Sequence, residues 1–405
     1  MNKENKLVPE FRFPTFKNEG EWDFEELERC LDYLQPTPYL VESTDYKDEY
    51  EIPVLTAGKT FILGYTNEKE GVFSENLPVI IFDDFTTASQ YVDFPFKTKS
   101  SAMKILLAKN SNNIKFVYEA IQNINYEVGV HQRHWISIFS KLKIAIPKNP
   151  KEQEKIASCL SSLDETIKTQ NQKLELLKDH KKGLMQNLFP QEGETVPKYR
   201  FKEFEYDGDW VETSVEKNCL VKGRIGYRGY TTQDIVEQGK GALVLGGKHI
   251  QNQLLRLTDP TFLSWEKYYE SPEIMVEVGD IIFSQRGTLG DCAIIDKEIG
   301  PATINPSMVL LKNITCDARF LYYILIGDGI QNEVRKNRAM GAIPMISQKQ
   351  IKEFPFLIPK SKEQQKIASC LSAVDELISA QAEKIEQLQR HKKGLMQGLF
   401  PKIES

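Results

Sequence analysis

The sequence predicts a mixed α and β (α+β) protein in which two globular domains accompany two long pairing helices, the whole related by an internal pseudo-two-fold repeat. Three observations predict it. A stretch of 40 residues occurs twice, each copy carries a sustained heptad of apolar positions, and the segments between them alternate short apolar runs with Gly and Asn turns.

The totals set the frame. At 405 residues with 40% hydrophobic content, each half can bury a core of its own, and two or more domains are expected. The formal charge of −5, with 27% charged residues, is no global nucleic-acid signature, so any positive binding surface must be local. Six cysteines without a CxxC pair argue against a zinc or disulfide framework and suit a reducing cytoplasm. The start, MNKENKLVPE, lacks the apolar core of a signal peptide, and no apolar run approaches the ~20 residues of a membrane span. A cytosolic protein is expected.

The elements follow in chain order. The lead-in VPEFRFPTFKNEGEW (residues 8–22) returns as VPKYRFKEFEYDGDW (196–210), with Pro9/Pro197, Arg12/Arg200, Phe13/Phe201, Phe16/Phe204, Gly20/Gly208 and Trp22/Trp210 in step. After the first lead-in come strand-like runs such as EIPVLT, LPVIIFDDF and MKILLA, then LKIAIPKNP; after the second come ALVLGGKHI, VGDIIFSQRGTLGDCAII, SMVLLKNI and the helical FLYYILIGDGIQNEVRKNR. Both middles end on an Ile-Ser followed by an apolar Ile-Pro exit. They share a frame and differ in content. The predicted segments are a first domain over 1–147, a first helix over 148–192, a second domain over 193–359 and a second helix over 360–405.

The helices are KEQEKIASCLSSLDETIKTQNQKLELLKDHKKGLMQNLFP (151–190) and KEQQKIASCLSAVDELISAQAEKIEQLQRHKKGLMQGLFP (362–401), identical at 27 of 40 positions. In the first, Ile156, Leu160, Leu163, Ile167, Gln170, Leu174, Leu177, Leu184 and Leu188 lie on one seam. In the second, Ile367, Leu371, Val374, Ile378, Gln381, Ile385, Leu388, Leu395 and Leu399 repeat it. Such a seam belongs to a helix of about 50 Å that packs along another helix by a narrow stripe. Gln170 and Gln381 either fix register as buried amides or sit near solvent. Lys181 and Lys392 fall on the same line and are expected to extend toward water at fraying ends rather than form buried ion pairs. Pro190 and Pro401 close the helices.

Positive charge is indeed local. Residues 95–148 hold nine Lys or Arg against Glu119 and Glu127, and residues 217–256 hold seven against Asp234 and Glu237. Such runs either solvate a face or contact phosphates, with interleaved Tyr, His, Gln and Asn within reach of base edges. In KGRIGYRGY (222–230) the glycines allow close backbone approach while Arg224 and Arg228 present forks, which favours function.

Catalytic motifs fail on spacing. A phosphate loop ending at Gly247-Lys248 needs glycine where Ala242 stands. INPSMVL (304–310) departs from an amino-methyltransferase N-P-P-aromatic site at Ser307 and Met308, and no glycine-rich AdoMet loop accompanies it. His131 and His134 have ligand spacing without a completing carboxylate or thiol, so packing or DNA contact is preferred to metal. Asp83 and Asp84 read as a metal pair or a strand-end turn. The chain reads as a binder with no catalytic residue and no metal.

At this point the repeated EQ-KIASCL and HKKGLMQ-LFP stretches, with HQRHWIS (131–137), KGRIGYRGY and GDIIFSQRGTLG (279–290), resemble type I restriction-modification specificity subunits over essentially the whole chain. The resemblance implies two target-recognition domains, two long helices lying antiparallel as a spacer, and a bipartite asymmetric DNA target with one half-site per domain. It implies as partners double-stranded DNA, two modification (methyltransferase) subunits that bring AdoMet and adenine N6 methylation, and restriction subunits that use ATP and Mg; the chain itself would bind no cofactor. Candidate DNA contacts are Lys97, Lys99, Gln132 and Arg133 in the first domain, and Lys222, Arg224, Tyr227, Arg228, Lys248 and Arg286 in the second. Arg286 could equally pair with Asp291 in a turn. The rival reading is a coiled-coil scaffold that binds other proteins without DNA sequence preference.

Overall fold

The structure is a computed structural model that describes residues 7–58, 60–124, 135, 138–337 and 344–402. Two compact units form, one from Met1–Gln172 with Ala382–Ser405, the other from Lys173–Gln381. Both boundaries fall inside a long helix. Each unit therefore holds the first part of one long helix and the last part of the other.

In unit 1 the strands are β1 (Asp23–Glu26), β2 (Leu31–Leu34), β3 (Ile52–Leu55), β4 (Ile62–Thr66), β5 (Val79–Asp83), β6 (Ser89–Val92), β7 (Lys97–Thr98), β8 (Met103–Ala108) and β9 (Lys143–Ile146). They make a four-stranded sheet in the order β2-β8-β5-β6, a three-stranded sheet β4-β3-β7, and the pair β1-β9. The apolar runs VIIF and MKIL are buried on both faces, which places β5 and β8 in the middle of their sheet. Helix α1 (Ile114–Gln122) starts where the Asn113 side chain accepts from the Phe116 amide at 3.0 Å, and it buries Ile114, Phe116, Val117, Ala120 and Ile121. Helix α2 (Pro150–Leu188) follows β9, with proline at its first position, where no backbone donor is needed.

Unit 2 repeats the plan with β10 (Val211–Ser214), β11 (Leu220–Gly223), β12 (Ile235–Val236), β13 (Gly241–Leu245), β14 (Ile250–Gln251), β15 (Leu254–Leu255), β16 (Phe262–Ser264), β17 (Ile281–Ser284), β18 (Cys292–Ile294), β19 (Ala302–Ile304), β20 (Met308–Lys312) and β21 (Pro355–Ile358). The sheets are β11-β20-β17-β18 and β12-β16-β13-β19, and β10 pairs with β21 as β1 does with β9. Helix α3 (Ala318–Ile326) matches α1, its Asp317 cap accepting from the Phe320 amide at 2.9 Å. Helix α4 (Ser361–Leu399) follows β21. Both long helices end two residues before their prolines.

Within each unit the two helix portions run antiparallel. In unit 1, Ile156 and Leu160 share a core with Leu399 and Phe400; in unit 2, Leu188 shares one with Ile367 and Leu371. All eighteen apolar or glutamine seam positions are buried or half-buried, while most intervening positions are exposed. Lys181 and Lys392 depart from expectation. Both are half-buried and ion-paired, Lys181 with Asp375 and Lys392 with Asp164, each at 2.7 Å. The physical reason is that each lysine stands opposite a carboxylate one helix away in the antiparallel pair, so an ion pair replaces the route to solvent.

The lead-ins pin domain to helix in both units by the same contacts. Arg12 grips Glu152 with both fork nitrogens at 2.7 Å and donates to the Gly20 carbonyl; Arg200 does the same to Glu363, at 2.9 and 2.8 Å, and to Gly208. The hydrogen bond to Glu152 raises the Arg12 pKa against the opposing effect of burial. Gly20 and Gly208 hold φ of +79° and +78°, a left-handed turn that a side chain would strain. Trp22, Phe116 and Phe400 pack as an aromatic trio in unit 1, with centroids 5.2 to 6.2 Å apart, and Trp210, Phe320 and Phe189 do so in unit 2, at 5.6 to 6.2 Å.

Candidate functional site

In unit 2 the topology gathers the predicted residues at one end of one sheet. Strands β11 and β17 each pair antiparallel with β20, so they run parallel to one another and leave the sheet at the same end. The loops they feed are KGRIGYRGY and SQRGT. A third loop joins them, because a side chain added at Gly247 would meet the Thr288 hydroxyl. The turn Gly226–Arg228, Lys248 and Arg286 thus belong to converging loops, and Lys222 lies near the end of the strand that feeds the first of them.

Their environments differ. Arg286 is exposed and its Nε meets the Met345 sulfur at 3.0 Å; Asp291, the alternative turn partner, accepts from Gln253 instead. Lys222 is half-buried on β11 and, like Arg286, forms no ion pair among the described residues. Lys248 is held at 2.9 Å by Asp259, whose carboxyl it keeps below the usual range. Arg228 lies 3.4 Å from Glu273. Tyr227 lies in the turn Gly226–Arg228, and its side chain lies outside the described residues.

Arg224, expected from the sequence as a DNA contact, turns inward. It is buried, donates to the Ile304 carbonyl at 3.2 Å and the Thr303 hydroxyl at 3.0 Å, and stacks 5.1 Å from the Tyr230 ring centroid. Burial lowers its pKa. Placed so, it braces the loop from within, and its fork is spent on the protein's own carbonyls.

In unit 1 the basic run is largely neutralised by carboxylates distant in sequence. Lys97 is 4% exposed and lies 2.7 Å from Glu68, which also accepts from the Ser43 and Glu42 amides. Burial alone would raise the Glu68 pKa, but Lys97 and the two amides outweigh it and the net shift is downward. Lys97, expected from the sequence as a DNA contact, is thus a buried strut, because β7 is buried and sets it against Glu68. Lys104 is paired inside with Asp84 at 3.4 Å, and Lys115 with Asp164 at 2.6 Å. Lys99 is exposed, 3.1 Å from the Tyr46 hydroxyl. Gln132 and Arg133, with His131 and His134, lie outside the described residues. Asp83 accepts from the Phe85 and Thr86 amides, as a strand-end turn does, and Asp84 accepts from the Trp135 amide.

Among the described residues no cluster of three or more His, Cys, Asp or Glu could hold a metal, and no helix is long and apolar enough to cross a membrane. Asn305 in INPSM closes a turn by accepting from the Ser307 amide and hydroxyl. The polar contacts that tie domain to helix are not among the contacts expected from the sequence. One signal could have found them: Arg12/Arg200 and Glu152/Glu363 are charged residues retained in both copies of two separate repeats.

Residues 20–179 and 265–390 match the family described as type I restriction modification DNA specificity domain, which spans more than half of the chain. The chain belongs to that family. The Type I restriction enzyme EcoR124I/EcoR124II specificity subunit of Escherichia coli is 32% identical over 364 residues, covering 86% of this chain and 85% of that one. A putative type I restriction enzyme MjaX specificity subunit from Methanocaldococcus jannaschii is 28% identical over 262 residues, 63% of this chain and 57% of that one. The crystal structure of the type I restriction-modification S subunit from M. genitalium shares the fold, with a TM-score of 0.64 at 17% identity over 98% of this chain and 100% of that one. A type I specificity subunit is therefore the framework in which the converging loops and the paired helices of this chain are to be understood.

Proposed function

We propose that this chain is the non-catalytic DNA-specificity subunit of a cytoplasmic type I restriction-modification complex, each recognition domain reading one half of a bipartite, asymmetric target. The observation that carries this reading is the repeat itself. Two domains with different loops are fastened to two helices of repeated sequence by the same arginine–glutamate fork, the same capped helix and the same aromatic trio. Equivalent fastening of unlike readers is what a two-part target requires.

The segments 1–147 and 193–359 are assigned the reading, and the helices over 148–192 and 360–405 the spacing and the docking of two methyltransferase subunits. Those subunits would bring AdoMet and methylate adenine at N6; restriction subunits would bring ATP- and Mg-dependent cleavage. Arg286 and Lys222 are suited to the duplex as cations with no carboxylate partner among the described residues, Arg for guanine by its fork and Lys for phosphate as a point charge. The test is sequencing of methylated adenines in cells that express the chain with its methyltransferase subunit. One bipartite motif methylated on both strands supports the proposal. No new motif, with both proteins and AdoMet present, overturns it in favour of a protein-binding scaffold.

A further inference from the structure

Within unit 1, four charged side chains from three elements close into a square. Glu119 of α1 accepts from Lys115 of the same helix at 2.8 Å and from Lys392 of α4 at 3.1 Å. Both lysines also reach Asp164 of α2, at 2.6 and 2.7 Å. Glu119 is fully buried, and its second oxygen has no hydrogen-bond partner. Taking such groups out of water is costly, and buried ionic clusters are often replaceable by uncharged groups with no loss of stability.

The chain contains that replacement. In unit 2 the counterpart of Glu119 is Tyr323, and that of Lys115 is Arg319. The Tyr323 hydroxyl donates to Asp375 at 2.7 Å, and the Lys181 ammonium lies 5.5 Å from its ring centroid. The lysine–aspartate half of the cluster is kept while the buried carboxylate is absent. A neutral aromatic therefore suffices to close this corner of the fold, and the charge of Glu119 calls for another account.

Direction supplies it. In unit 2 the Tyr323 hydroxyl ties α3 to α4 alone, and its aromatic face accepts the Lys181 ammonium of α2 over a broad range of angles, whereas in unit 1 a carboxylate between two lysines, themselves held by Asp164, ties α1, α2 and α4 at hydrogen-bonding distance. We propose that Glu119 is a positioning residue that fixes the angle of the first recognition domain on the portions of the long helices in its unit. Resting on the function proposed above, that angle sets the gap accepted between the half-sites.

The full chain with its methyltransferase subunit is compared with Glu119→Gln and with the double variant Lys115→Arg/Glu119→Tyr, which installs the arrangement of unit 2 and keeps the test available should Glu119→Gln fail to fold. Spin labels carried on noncanonical residues replace Thr86 and Lys384, both exposed and both in unit 1. The expected result is a narrow distance distribution in the parent that broadens in the variants. In cells, the variants keep both half-site sequences while methylation at gaps one base pair too long or too short rises by roughly fivefold or more. An unchanged distance distribution overturns the proposal, whatever happens to the melting temperature. A broadened distribution with an unchanged gap overturns its link to DNA spacing. A parent chain that directs no bipartite methylation sinks the proposed function instead, and the distance measurement still decides the positioning role.

Discussion

Lys181 lies 2.7 Å from Asp375, and the positions that correspond to them in the other copy of the repeat, Lys392 and Asp164, lie 2.7 Å apart as well. The two long helices thus make one contact twice, once in each unit. That equivalence generates the first expectation, which concerns acid. Burial pushes the Asp164 carboxyl up, but hydrogen bonds and charge from Lys115 and Lys392 outweigh it, and its pKa is lowered. A depressed folded pKa contributes stability that is full above the unfolded value of about 3.9 and is lost as pH falls through the folded one. Resistance of the parent to urea should fall below about pH 4. Asp164→Asn should be less stable at neutral pH and flatter across that window; an identical acid profile would refute the assignment.

Breaking the fork that binds lead-in to helix should be costly. Arg12→Ala strands Glu152, whose side chain is 1% exposed, and the expected loss is about 3 kcal/mol. Arg12→Lys should recover only part of it, since a point charge cannot bond both oxygens at once. Thermal unfolding of the two variants decides this, and equal melting temperatures would count against a bidentate role.

The seam should behave as core. Leu160 and Leu371 are fully buried at equivalent positions. Leu160→Ala and Leu371→Ala should each cost roughly 2–5 kcal/mol. Leu176→Ala, at an exposed position of the same helix, should fall within about 0.5 kcal/mol of the parent.

Spacer length should set target geometry under the proposed function. Deleting residues 167–173 together with 378–384 removes one heptad from each helix in register, about 10 Å of rise. Methylome sequencing should then return both half-site blocks with a gap changed by about three base pairs. An unaltered gap would exclude the helices as the spacer.

Loop cations should separate by environment. Arg286→Ala should cost roughly 1–3 kcal/mol in DNA binding and relax one target position, while Lys222→Ala should weaken binding uniformly and reduce its salt dependence. Arg224→Ala should instead lower thermal stability, because its donors serve Ile304 and Thr303. Binding isotherms at two salt concentrations, paired with melting curves, distinguish the three.

The repeat, the helical seam and the family are legible in the amino-acid sequence alone, because a heptad is a local pattern and a duplicated phrase shows wherever it stands. Both long helices, Pro150–Leu188 and Ser361–Leu399, take in the whole of their apolar seams, and Trp22/Trp210 and Arg12/Arg200 pair when one copy is laid on the other. Which charges face water is set by packing. Lys97, Lys104 and Lys115 look like a basic run, yet each meets a carboxylate 20 or more residues away, at Glu68, Asp84 and Asp164. Arg224, one loop residue among several, turns inward to two acceptors some 80 positions along the chain. A charge carries no local mark of its partner. Its solvation depends on which strands and helices the fold brings beside it, and that is a property of packing rather than of spacing.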